Sequence, residues 1–247
     1  PVAVEGANTI QVRQTDVAGN VSAPATLAFT LDTTVSTPTI ALEADTGSSG
    51  TDGITSTGAY TVSGTESGAL VEYSTDGINW TTTPPTAVEG ANTIQVRQTD
   101  VAGNVSAPAT LSFTLDTSAA ITVSLDDVNS GNLTAVRITG TTNGVEAGQT
   151  VTPVISDSDP STPDVTISAI VNANGTYATT ADLSTLTDGP LTVTAAVTDL
   201  AGNPAVDSDS GVKAIADVPI LASIDDILIL TPGSTVISTG GTDAVVI

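Results

Sequence analysis

The chain of 247 residues contains no cysteine, no histidine and no methionine. Without thiols there are no disulfides, and without imidazole or sulfur the usual nitrogen and sulfur ligands of zinc, copper and haem are missing. Histidine is also the commonest general acid or base, so most enzyme classes lose their reacting groups at this step. Basic residues are nearly missing too: Arg13, Arg97, Arg137 and Lys213 stand against 27 acidic residues, for a formal net charge of −23 at pH 7. Such a field repels phosphate backbones and anionic lipid surfaces, which rules out nucleic acid as an expected partner. No apolar run of membrane-spanning length, no signal-peptide pattern and no initiator Met are present, so membrane insertion is not expected and the chain reads as an excerpt of something longer. Aromatic residues are scarce, at 2%, yet 39% of the residues are apolar and fall in alternating runs, which suits small β cores rather than disorder.

What the sequence has in abundance is itself. Residues 1–34 recur as residues 85–118, changed only at Val2/Thr86, Ala28/Ser112 and Thr34/Ser118. A domain-sized block copied with that fidelity indicates one folding unit in series. No helical period is found. Short alternating stretches bounded by turn residues predict strands over 39–42, 59–64, 70–74, 79–82, 93–100 and 110–115. In TIQVRQTD, Ile94, Val96 and Gln98 share one face while Gln95, Arg97 and Thr99 share the other. The Thr75-Asp76-Gly77 turn supplies the positive φ of a tight hairpin, and Trp80 beyond it is read as a core anchor. This pattern predicts an all-β chain of tandem immunoglobulin-like Greek-key β-sandwich domains, end to end.

The hexamer T-D-x-A-G-N sets the register, at Thr15–Asn20, Thr99–Asn104 and Thr198–Asn203. Each copy follows the penultimate strand. On this register residues 1–32 are the C-terminal strands of a preceding repeat, 33–117 a complete repeat, 118–216 a second and longer repeat, and 217–247 the start of a further one.

In an immunoglobulin topology the loop between the last two strands lies at the domain's N-terminal end, where the linker from the preceding domain arrives. The candidate groups there are Asp16 and Asn20, Asp100 and Asn104, and Asp199 and Asn203 in the loops, with Asp32 and Asp116 in the linkers. The second-to-third-strand loop adds Glu66 to the first junction, and Asn143 or Glu146 to the second. Calcium takes six to eight oxygens in tolerant geometry, so these donors suit a structural Ca2+. A plainer reading is that Asp and Asn only close an Asx turn on their own backbone. A second acidic group, Asp45, Asp52, Asp76 and Glu89, then Asp126, Asp127, Asp157, Asp159 and Asp164, lies at hairpin turns, which attract Asp for backbone reasons alone. Asp207 and Asp209 are candidates for the linker role at a third junction. No pair of carboxylates has the surroundings of an acid–base couple, so no catalytic residue is expected.

The string EYSTDGINW…VEGANTIQVRQTDVAGNVSAPATLSFTLDT resembles the bacterial immunoglobulin-like repeats of giant type I-secreted adhesins of the RTX and biofilm type. Residues 119–214, with NGTYATTADLSTLTDGPLTVTAAVTDLAGN, are similar to a second repeat type of the same adhesins. The resemblance implies a non-enzymatic extender on the bacterial cell surface, in which calcium at the junctions stiffens a string of sandwiches and projects a distal ligand-binding domain. The partners implied are neighbouring repeats of the same chain. Two other readings stand beside it: an extracellular filament subunit that associates with other copies by strand exchange, and a carbohydrate-binding module built on Trp80, Tyr60 and Tyr73.

Overall fold

A computed structural model of the chain describes residues 1–215, and every regular element in them is a β-strand. The expected further repeat over 217–247 lies outside the described residues. The chain divides between Asp116 and Thr117 into two compact units.

In the first unit, β1 (Gly6–Val12) and β2 (Ala25–Leu31) form an antiparallel hairpin with Gly6 opposite Leu31 and Val12 opposite Ala25. The sandwich that follows has one sheet of β3 (Thr39–Leu42) with β5 (Tyr60–Ser63). Its other sheet joins β4 (Ile54–Thr55), β6 (Leu70–Ser74), β7 (Gly90–Thr99) and β8 (Ala109–Leu115) in the order β4-β8-β7-β6. Alternation along β7 and β8 buries Ile94, Val96, Phe113 and Leu115, while Ile40, Leu42, Tyr60 and Tyr73 pack against the cluster.

Three features depart from the sequence expectation. No strand forms over 79–82, where a single bridge joins Tyr73 to Thr81. The Asp76 carboxylate accepts the amides of Ile78 (2.8 Å) and Asn79 (2.8 Å), which withdraws both from any ladder, and Pro84 and Pro85 bring no amide of their own. The turn itself is as expected, with Gly77 at φ +73°. Trp80 stands outside the buried cluster: the Arg97 guanidinium lies 4.1 Å from its ring centroid and is held by Glu72 at 3.0 Å. Finally, β4 runs parallel to β8, pairing Ile54 with Thr114 and Thr55 with Leu115. A two-residue strand carries no periodic signal, so it was invisible in the sequence.

The second unit is a larger sandwich. One sheet holds β9 (Ala120–Ile121), β10 (Ser124–Leu125), β11 (Val136–Asn143) and β15 (Thr176–Ala181). The other holds β12 (Thr150–Ser156), β13 (Val165–Thr166), β14 (Ala169–Ile170), β16 (Gly189–Thr198) and β17 (Pro204–Lys213). Leu191, Val193, Ala195 and Val197 alternate inward along β16 and meet Val136, Ile138, Val151, Ile155 and Tyr177 in one continuous core.

Tyr177 is buried and its hydroxyl donates to the Thr122 carbonyl at 2.7 Å. Gly140 makes that contact possible, because a Cβ there would sit 1.9 Å from the Thr122 oxygen and 2.5 Å from the Tyr177 ring. Gly140→Ala therefore overpacks the sheet and is expected to cost about 2–3 kcal/mol. Urea unfolding should show the second unit's transition moving to lower denaturant while the first unit's transition stays in place.

Candidate functional site

The three T-D-x-A-G-N loops have one geometry. Asp16 accepts the Asn20 amide and the Asn20 carboxamide, both at 2.8 Å. Asp100 accepts the same groups of Asn104 at 2.8 and 2.7 Å, and Asp199 those of Asn203 at 2.7 Å each. The intervening glycines, Gly19, Gly103 and Gly202, sit at φ of +91°, +98° and +95°, a region that side chains disfavour. Each loop is thus a closed Asx turn in which both carboxylate oxygens are engaged. Donation from the Asn20 carboxamide holds the Asp16 carboxyl below its ordinary value, and Asn104 does the same for Asp100.

The linker into the first sandwich is fastened to this loop end at three points. Asn104 Nδ2 donates to the Asp32 carbonyl at 3.1 Å. Glu66 accepts the Ser36 amide at 2.8 Å and its hydroxyl at 2.9 Å. Gln98, with 0% exposure, accepts the Glu66 amide at 2.8 Å and donates to the Ser36 carbonyl at 2.8 Å. Its Nε2 also reaches the Gly64 carbonyl at 3.3 Å. Asp32 therefore enters the joint through its carbonyl, while its carboxylate accepts the Thr34 amide at 3.3 Å. On the incoming side Glu5 accepts the Thr33 amide (3.1 Å) and hydroxyl (2.8 Å).

Gln98 and Ser36 were not among the expected site residues. The signal for Gln98 was present in its alternation with Ile94 and Val96, which places a carboxamide on the buried face and requires partners for it. Asp116 lies in the first unit just after β8, its amide donating to the Thr55 carbonyl at 3.0 Å. Asp199 and Asn203 lie in the second unit, where the loop is reached by Glu146, which accepts the Leu200 amide at 3.0 Å. Asn143 sits in β11 opposite Ala120.

Among the described residues no group of three or more acidic side chains stands close enough to hold a metal ion. The donors that calcium would use at the loops, the carboxylates of Asp16, Asp100 and Asp199, are each closed on an asparagine. As arranged, the residues form a hydrogen-bonded joint, and each carboxylate oxygen keeps a lone pair beyond the one that its asparagine occupies.

Several other acids are spent in the same way. Asp157 accepts the Asp159 amide at 2.9 Å and the Thr187 amide at 2.6 Å, and Asp159 accepts the Ser161 amide at 2.9 Å. Asp207 and Asp209, expected at a junction, instead lie within β17 and accept amides of the segment opposite. Of the three polar aromatics proposed as a sugar platform, Tyr60 donates its hydroxyl to the Pro85 carbonyl at 2.7 Å, and Trp80 carries Arg97 on its ring. Tyr60 and Tyr73 line a shallow depression of about 480 Å³ beside Pro84 and Pro85, and Trp80 lines an adjoining one of about 230 Å³.

Two sheets with antiparallel neighbours, and an early edge segment running parallel to the last strand, define an immunoglobulin-like sandwich. Residues 34–117 match the bacterial Ig-like domain family. No curated protein matches the chain. Among solved structures, a tetra-tandem repeat in the extending region of a large adhesion protein is 27% identical, with 85% of this chain and 57% of that one covered and a TM-score of 0.45. A Ca2+-stabilized adhesin that helps an Antarctic bacterium reach out and bind ice is 22% identical, over 86% of this chain and 58% of that one, with a TM-score of 0.35. A bacterial immunoglobulin-like domain from the M. primoryensis ice-binding adhesin is 25% identical over 39% of this chain and 95% of its own length, with a TM-score of 0.29. The chain thus spans 57% and 58% of the first two of these structures.

Gln98→Leu strands the Glu66 amide and the carbonyls of Ser36 and Gly64, a loss of about 2 kcal/mol or more. Denaturant unfolding should show it in the first unit alone. Asp100→Ala tests the loop by pH. Because the folded-state value lies below the ordinary 3.8, the Asp100 contribution is complete above about pH 4 and is lost as pH falls through the lowered value. The gap in unfolding midpoint between wild type and variant should be constant from pH 7 to about 4 and shrink below it.

Proposed function

We propose that the chain is a non-enzymatic extender segment of a large secreted bacterial surface protein, serving cell adhesion or biofilm formation by holding a distal binding domain away from the cell. The observation that carries this reading is the copied block. Residues 1–34 and 85–118 contain both halves of a joint, the linker that leaves one repeat and the loop that receives a linker from the repeat before. The two blocks are bonded directly where Asn104 donates to the Asp32 carbonyl, and Ser36 and Glu66, outside the copied residues, complete the joint through Gln98. Stiffness at a short linker comes from such cross-links, which remove the hinge freedom that flexible connections retain. The repeats are taken as 33–117, 118–216 and a further one from 217.

Calcium is the finer part of the proposal. Its support is electrostatic: 27 acidic residues face four basic ones, so a divalent cation at the acidic loops lowers a net negative charge that the basic residues leave almost whole. Against it stand the closed Asp–Asn pairs.

X-ray scattering of the full chain in calcium and in chelator tests both parts. An elongated particle whose maximum dimension shortens in chelator is the expected result. An elongated particle indifferent to chelator would remove the cation and leave the hydrogen-bonded joint as the stiffener. A compact particle under both conditions would sink the extender reading.

A further inference from the structure

In each unit a segment ahead of the sandwich's central strands runs parallel to the strand that ends it, and the two are bonded: β4, which follows the opening strand β3, in the first, and the opening segment 123–128 in the second. In the first, the Thr114 amide donates to Gly53 at 2.8 Å and the Asp116 amide to Thr55 at 3.0 Å. In the second, the Val128 amide donates to Val212 and the Ala214 amide to Val128, each at 2.9 Å.

Side chains lengthen the second patch. Asp207 accepts the Val123 amide at 2.9 Å, Asp209 accepts the Leu125 amide at 3.0 Å, and Asp127 accepts the Val212 amide at 2.9 Å. The first two contacts advance by two residues on each strand, the period at which side chains return to one side, so both carboxylates meet successive amides in register. Beyond them Lys213, 5% exposed, donates from Nζ to the carbonyls of Leu183 (3.1 Å), Ser184 (3.4 Å) and Leu186. The end of β17 is thereby pinned to the turn before β16.

An early segment bonded in parallel to the last strand has a mechanical consequence. When a repeat is pulled at its two ends, the opening segment and the closing strand are drawn in opposite directions along their common axis. Bonds running between them are then loaded together in shear, whereas a hairpin pulled at its open end parts one pair at a time. Bonds to carboxylates are stronger than neutral ones, so the three aspartates add most where the patch has least backbone pairing.

We propose that Asp127, Asp207 and Asp209, with the Val128 bridge and Lys213, form a tension-bearing clamp in the second repeat. This rests on the extender reading, since a spacer transmits any drag on its distal domain through the ends of every repeat.

The test is single-molecule force spectroscopy on the full chain tethered at its two ends. Release of residues 39–115 lengthens the chain by about 250 Å and release of residues 120–213 by about 310 Å, so the two ruptures are separable. The double variant Asp207→Ala, Asp209→Ala should unfold under constant load faster by on the order of 10-fold per carboxylate in the long event, with the short event unchanged. Val151→Ala, in the core and off the patch, serves as the comparison: its urea midpoint should fall while its loaded rate stays within about twofold of wild type. Asp209→Asn, which retains an acceptor oxygen, gives an intermediate rate and keeps the test open if the double variant does not fold. Equal acceleration by Val151→Ala and the double variant, at equal loss of equilibrium stability, would overturn the clamp. A compact particle in scattering would overturn the extender reading and leave the rupture contrast standing.

Discussion

A backbone amide at a turn or a strand end needs an acceptor, and in this protein the acceptor is repeatedly a side-chain carboxylate. Asp76, Asp100, Asp157, Asp199, Asp207 and Asp209 each take at least one amide. The interaction explains how a chain with a formal charge of −23 and four basic residues folds at all. A carboxylate that accepts amide hydrogens is stabilised by dipoles already fixed in the fold, and it needs no Lys or Arg beside it. The same interaction shapes the three loops, anchors the first linker through Glu66, and joins the opening segment of the second sandwich to its last strand.

The cores are built with different economy. The second unit closes around a long list of Val, Leu and Ile with one buried Tyr, whereas the first has a thinner cluster around Ile94, Phe113 and Leu115. In the first, a buried carboxamide does part of what packing does in the second. Gln98 binds Ser36, Gly64 and Glu66, so it connects β7 to the linker and to the loop after β5. Polar contacts of this kind have direction, which apolar packing lacks, and they set where the linker enters as well as how firmly.

The fold class was legible because alternation and turn residues are local signals, and β6 falls on the expected 70–74. The three loops were legible because Asp, Gly and Asn at fixed spacing close a turn by themselves. What failed did so for identifiable reasons. The 79–82 stretch alternates as a strand should, but its first amide, that of Asn79, is claimed by Asp76. β4 is too short to show a period. Asp207 and Asp209 read as a junction element, yet their alternation within DSDS places them on one side of a strand, facing amides more than 80 positions earlier in the chain. Lys213 gave no signal, since its carbonyl partners lie in a turn that only the folded chain brings near.

The duplicated block separates the two levels within one molecule. Asp16 with Asn20 and Asp100 with Asn104 make the same bonds at nearly the same distances, and the Gln14–Ser22 backbone bond recurs as Gln98–Ser106, both at 2.9 Å. Hairpin register and loop closure follow from residues near in sequence, so identical sequence yields them twice. Burial does not repeat: Val12 is 66% exposed and Val96 0%, and Gln14 is exposed where Gln98 is buried. In the second copy β3 to β6 pack on the hairpin's face, and there the Gln98 carboxamide becomes the centre of a joint. Local chemistry decided the shape of the repeat's final strands, and long-range packing decided that Val96 enters a core and that Gln98 bonds to the linker.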